Sequence, residues 1–314
     1  MPFSTASPCP AMIETRQGAV ECARFGHGPA VLLLHGAMGG YDQGLLLAAA
    51  AAGSFGFDFI AVSRPGYLGT PLALGRTPER QADLCAALLD ALAIPRAGVI
   101  AISGGGQCAL QFALRHPGRC CSLVMISACS APIAVRLPLR FHLLSLMARL
   151  PALAAVMLRK MRSDPDRAVS RSIPDPALRA RTLNDPEAGP LLLALQESTL
   201  ERLAERLPGT RNDIAQSRAP FHYPLERIAA PLLVVHGTAD RAAPFAQASE
   251  LAARVPRAEL LAIEGGEHVS IFTHRNVIRP RIEQLLNAHL PDEPNPPAPR
   301  RDSAVSPSSH STAS

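Results

Sequence analysis

AGVIAISGGGQCALQFALRHP, residues 97–117, reads as a buried strand, a tight turn and a helix in that order. The run 97–103 is almost continuously apolar, the pattern of a strand covered on both faces. Gly104 to Arg115 carries Leu110, Ala113 and Leu114 on one helical face. Ser103 stands at the junction. A nucleophile on a sharp strand-to-helix turn needs small neighbours, because bulk there would strike the adjacent strand and helix. Gly105 and Gly106 meet that demand. The pattern is G-x-S-x-G with Ala101 in place of the first glycine, and alone it equally fits a Gly-rich helix start or a phosphate-binding turn. The phosphate alternatives lack their partners. Gln107-Cys108 stands where a P-loop needs Lys and Ser or Thr, and the acidic residue of a dinucleotide fingerprint is missing.

Outward from this segment, further apolar runs alternate with helical patterns. AVLLLHG (30–36), DFIAVS (58–63), SLVMIS (122–127), PLLVVHG (231–237) and ELLAIEG (259–265) read as strands. Thr77-Pro78-Glu79 opens a helix carrying Leu84, Leu88 and Leu92, and other helices cover 245–254 and the stretch up to Leu290. Such alternation predicts an α/β fold, a mostly parallel doubly wound sheet covered on both faces. The rhythm breaks over 130–226, which is rich in Leu, Arg and Pro and shows spacings such as Leu143–Leu146–Leu150 and Leu200–Leu203–Leu207. Short amphipathic helices fit there and no strand does. The expected organisation is therefore a core of 18–129 and 227–290, an inserted all-helical cap at 130–226, an N-terminal extension at 1–17, and a disordered Pro/Ser-rich tail at 291–314.

Two later strand ends carry chemistry. Asp240 lies in HGTADRAAP and His268 in GGEHVSIF, each just past a strand. Side chains leaving the carboxyl ends of parallel strands converge at one edge of the sheet. An acid, a histidine and Ser103 meeting there form a nucleophile, its base and the group that orients the base. The turn His35-Gly36-Ala37-Met38 follows another strand, so the backbone N–H groups of Ala37 and Gly104 are expected to face a developing oxyanion. His35 and His236 precede glycines at strand ends and read as structural, and Cys108 as packing. His274 is the second choice of base and Glu267 the reserve acid.

The segments LLLHGAMGG, SRPGYLGTPL (63–72), IAISGGGQCALQFALRHP, VVHGTADRAAP and GGEHVSIF together resemble the α/β-hydrolase-fold superfamily, in its serine-nucleophile branch with a helical cap. The likeness runs from about residue 18 to 290. It matches the order Ser103, Asp240, His268 and a cap after the sixth strand. Ala101 departs from the usual glycine, as in some lipases. Dehalogenases and epoxide hydrolases of this fold use an aspartate where this chain has Ser103. Ser127-Ala128-Cys129-Ser130 offers no carboxylate for an acid after the sixth strand. The resemblance implies a serine hydrolase acting on a carboxylic ester or related acyl bond through an acyl-enzyme, with no cofactor and no metal. Carbon–carbon bond hydrolysis, lyase or cofactor-free haloperoxidase chemistry on the same residues, and a non-catalytic ligand receptor, stay open. The Leu-rich insertion points to a small-molecule substrate with an apolar or mid-length acyl group, with Met38, Leu143, Leu146 and Met147 as expected pocket residues.

Composition narrows the remaining classes. Hydrophobic residues make up 47% and charged residues 18%, enough apolar content for a sizeable core. Tryptophan is absent and aromatics are 4%, which disfavours a base-stacking or sugar-stacking surface. The net charge is +5, but the basic residues, all Arg except Lys160, are spread along the chain, so no nucleic-acid partner is expected. Seven cysteines lack metal-ligand spacing and fit a reduced, cytoplasmic protein. MPFSTASPCPAM shows no secretory pattern. Arginines interrupt the stretch from Val135 to Met161, so no integral membrane segment is expected. The basic amphipathic stretch 135–162 leaves docking on a membrane surface as an alternative to a purely cap role. Assembly as a homo-oligomer also stays open.

Overall fold

Strand β3 (Ala30–Leu34) shows how the core is built. Ala30, Leu32 and Leu34 enter one apolar cluster and Val31 and Leu33 another, so the period-two alternation of a strand feeds a core on each face of the sheet. The computed structural model describes residues 8–53, 56–133, 145–146, 148 and 150–291. The sheet runs β1 (Ala11–Thr15), β2 (Gly18–Gly26), β4 (Asp58–Val62), β3, β5 (Ala97–Ile102), β6 (Cys120–Ile126), β7 (Leu232–Gly237), β8 (Ala258–Ile263). β1 pairs antiparallel with β2 and β2 antiparallel with β4; every other pairing is parallel.

One face is covered by α1 (Tyr41–Ala51) and α11 (Arg275–His289), the other by α2 (Pro78–Ala91), α3 (Gly106–Arg115) and α9 (Phe245–Arg254). The doubly wound arrangement follows the alternation of apolar strands and helices. Thr77 caps α2 by accepting from the Arg80 N–H, with Pro78 in the first turn. The sheet, however, begins at Ala11, ahead of Gly18. β1 alternates half-buried and exposed residues, and such a polar edge strand carries no continuous apolar run to read.

Between β6 and β7 lie α4 (Pro151–Ser163), α5 (Pro165–Val169), α6 (Pro176–Asn184), α7 (Ala188–Ser198) and α8 (Leu203–Arg218), with no strand among the described residues. Proline opens three of them, and the Asp164 and Asp175 side chains cap α5 and α6. Leu200, Leu203 and Leu207 form a separate apolar cluster with Met38, Ala154, Leu158, Met161 and Ile214. No helix among the described residues is long and apolar enough to cross a membrane.

β3 lies between β4 and β5, so the chain leaves it to one side and crosses to the other. The crevice at such a switch point opens at the carboxyl ends of β3 and β5. Those ends carry His35-Gly36-Ala37 and Ser103.

Candidate active site

Ile102 keeps strand geometry at φ −121°, and Ser103 immediately after it takes φ +51° before the chain turns into α3. That left-handed backbone costs a non-glycine residue roughly 1–2 kcal/mol. It throws the Ser103 side chain out at the end of the strand. The turn tolerates little bulk. A Cβ at Gly105 would stand 2.5 Å from the Leu34 carbonyl oxygen, and one at Gly36 would stand 3.0 Å from Ser103 Cβ. Ala101, by contrast, is fully buried in the core with its methyl accommodated.

The structure brings Ser103, His268 and Asp240 together. His268 Nε2 lies 3.0 Å from Ser103 Oγ, and its Nδ1 lies 2.8 Å from Asp240 Oδ2. A carboxylate at Nδ1 places the imidazole proton there, so Nε2 is left to accept from the serine hydroxyl. The N–H groups of Ala242 and Ala243 donate to Asp240 Oδ1 at 2.8 and 3.0 Å, which fixes the carboxylate. Burial works against the Asp240 charge, yet His268 and these two N–H groups outweigh it and hold the carboxyl below its usual range.

Of the other histidines singled out in the sequence, His35 and His274 stay outside this chain, whereas His236 Nε2 lies 3.4 Å from Asp240 Oδ2, on the side of the acid away from Ser103. His35 is buried, donates from Nδ1 to the Gly36 carbonyl and accepts the Arg64 N–H at Nε2. Burial, then the Arg64 charge, holds it neutral. His236 is also lowered by burial and bonds the Ala243 carbonyl. His274 pairs with the Thr273 hydroxyl. Cys108 is buried with its sulfur 3.9 Å from that of Cys85.

Ala37 and Gly104 face each other: a Cβ at Gly104 would lie 3.3 Å from the Ala37 nitrogen. Beneath them is a buried polar cluster that reading the sequence missed. Arg64 donates from Nε to the His35 carbonyl at 2.9 Å, from Nη2 to the Gly36 carbonyl, and from Nη1 and Nη2 to Asp213. The Tyr67 hydroxyl donates to the same carboxylate at 2.6 Å. Burial opposes the Arg64 charge, and Asp213 more than offsets it, leaving the guanidinium pKa raised. Arg64 was visible in SRPGYLGTPL, but its partner lies 149 residues away in α8, beyond any local pattern. α8 holds the same loop twice more, through Thr210 to the Met38 N–H and Arg206 to the Met38 carbonyl and Asp42.

Of the expected pocket residues, Met38 packs against Leu200, Leu203 and Leu207. Leu146 does not line an interior: it is 52% exposed, because helical spacing identifies a face without saying which way it turns. Leu143 and Met147 lie outside the described residues. A cavity of about 320 Å³ lies between α4 and the start of α8, lined by Ala154, Leu158, Leu200 and Leu203. Another, about 640 Å³, lies between α6 and the start of α11 and shares no residue with the Ser103–His268–Asp240 chain. No group of three or more His, Cys, Asp or Glu among the described residues could hold a metal ion.

A model of the alpha/beta hydrolase family matches residues 31–279. A poly(3-hydroxyalkanoate) depolymerase from Ectopseudomonas oleovorans is 31% identical over 238 residues, 73% of this chain and 75% of its own. An uncharacterized hydrolase, YcgS, from Bacillus subtilis is 33% identical over 112 residues; the match spans 35% of this chain and 38% of that protein. Among solved structures, an alpha/beta hydrolase fold protein from Nakamurella multipartita is 34% identical with a TM-score of 0.79, over 89% of this chain and 99% of that one.

Proposed function

The chain belongs to the alpha/beta hydrolase family, and within it we propose that the protein is a serine hydrolase that cleaves a carboxylic ester through an acyl-enzyme. The observation that carries this reading is the unbroken hydrogen-bonded chain from Ser103 Oγ through His268 to Asp240. His268 takes the proton as Oγ attacks the substrate carbonyl, and Asp240 holds the imidazole tautomer and stabilises the imidazolium. The N–H groups of Ala37 and Gly104 receive the oxyanion, on a loop that Arg64 pins by its carbonyls. His268 then returns its proton to the leaving alkoxide. Water activated by the same histidine releases the acyl group.

Ester chemistry is further supported by the similarity to a poly(3-hydroxyalkanoate) depolymerase, since the bonds joining hydroxyalkanoate units are esters. The helices between β6 and β7 act as the cap, and the apolar cluster of Met38, Leu200, Leu203 and Leu207 favours an apolar acyl chain.

A panel of p-nitrophenyl esters of graded chain length, run with wild type and Ser103→Ala, tests the proposal. Turnover that peaks at an aliphatic chain length and disappears in the variant is expected. Turnover that survives Ser103→Ala, or ligand binding without turnover, would overturn it, the latter in favour of a receptor.

A further inference from the structure

The large hydrophobic side chains exposed among the described residues gather in one short stretch of the chain. Leu146, Leu150, Leu153, Val156 and Met157 are 37–52% exposed, leaving only Met12 and Val277 elsewhere. Leu153, Met157 and Lys160 follow one another at four and three residues, so they share one face of α4, with Val156 bordering it and Leu150 at the N-cap just ahead of it. The adjoining stripe is occupied: Ala154, Leu158 and Met161 pack against Leu200, Leu203 and Leu207. The outer stripe has no partner within the described chain.

Charge identifies what would cover it. Residues 131–163 contain no Asp or Glu, and the row ends in Lys160, the chain's only lysine. Arg159 and Lys160 are exposed, and neither is ion-paired with a described residue. Arg162 turns instead toward Glu197 and Glu201. A second copy of this face would set like charges against each other. An anionic headgroup layer would match them, with the leucines and methionine entering the acyl boundary and the lysine reaching up its own stem to the phosphates. α4 has 13 residues, short of the roughly 20 needed to span a bilayer, so it would lie in the interface.

We propose that the outer face of α4 docks the protein on an anionic lipid surface. This goes beyond the ester-hydrolase reading and does not depend on it. Docking would place the inner face of α4, and through it Met38 and the loop beside Ser103, next to a phase where apolar esters concentrate.

Co-sedimentation of the full chain with phosphatidylglycerol/phosphatidylcholine vesicles, against pure phosphatidylcholine, tests this. Binding to the anionic vesicles is expected, weakened by salt and by Lys160→Glu, and lowered about tenfold or more by Leu153→Asp with Met157→Asp. Both variants should keep wild-type turnover of a soluble short-chain ester, and Ser103→Ala should bind vesicles as wild type does. No vesicle binding, equal binding to both vesicle types, or undiminished binding of the Leu153/Met157 variant would overturn the proposal. So would a concentration-dependent dimer that the same variant abolishes in the absence of any lipid binding.

Discussion

Ser103 holds a left-handed backbone at φ +51°, and the strain belongs to the position rather than to the hydroxyl. Ser103→Gly should therefore be more stable than Ser103→Ala by about 1 kcal/mol in urea unfolding, although both lose turnover. Asp240→Asn should fold and keep its serine but lose on the order of 10⁴ in kcat, because an amide at Nδ1 allows the wrong imidazole tautomer. Asp240 also has a pH signature. Its carboxyl is held below the unfolded value of 3.8, so its contribution to stability is present above that pH and is lost as pH falls through the lower, folded value. Thermal melts should accordingly show wild type and Asp240→Asn drawing together below pH 3.8, and a constant gap down to pH 2 would contradict the assignment. These three residues were legible in the sequence because each sits just past a recognisable strand. Arg64 and Asp213 were not, because a buried ion pair between distant segments leaves no periodicity.

At the scale of elements, α8 is the helix that ties the insertion to the core. Arg206, Thr210 and Asp213 recur at four and three residues, so one buried stripe of this helix is polar where the Leu200–Leu203–Leu207 spacing predicted only an apolar face. Arg64 and Asp213 are 2% and 9% exposed, so removing either partner strands a buried charge. Arg64→Met and Asp213→Leu should each cost about 3–5 kcal/mol, and the two replacements together should cost less than the sum. Equilibrium unfolding of the three variants checks this, and strict additivity would argue against a coupled pair. The buried parallel strands were readable as apolar runs. α1 was not, because eight of its residues are buried and its Ala/Leu sequence shows no one-sided stripe. β1 and β2 escaped for the opposite reason, being partly polar strands near the sheet edge.

For the molecule as a whole, the sheet sets what solvent can reach. Cys9 is exposed, whereas Cys22, Cys85, Cys108, Cys120, Cys121 and Cys129 are buried. Burial pushes the thiols of Cys22, Cys120 and Cys129 up to about 12. A disulfide-exchange reagent at pH 8 should thus titrate one thiol quickly in the native protein and all seven after unfolding. Several fast thiols in the native state would mean that the sheet is not covered on both faces. The same fold carries the central claim, since it alone brings Ser103 beside a histidine 165 residues away in the chain. The most direct test is intact-protein mass spectrometry after exposure to a fluorophosphonate, with peptide mapping of the adduct. One adduct per chain, located on Ser103 and absent from folded Ser103→Ala, is the result predicted here. Folded wild-type protein that stays unlabelled, or an adduct that persists in Ser103→Ala, would contradict it.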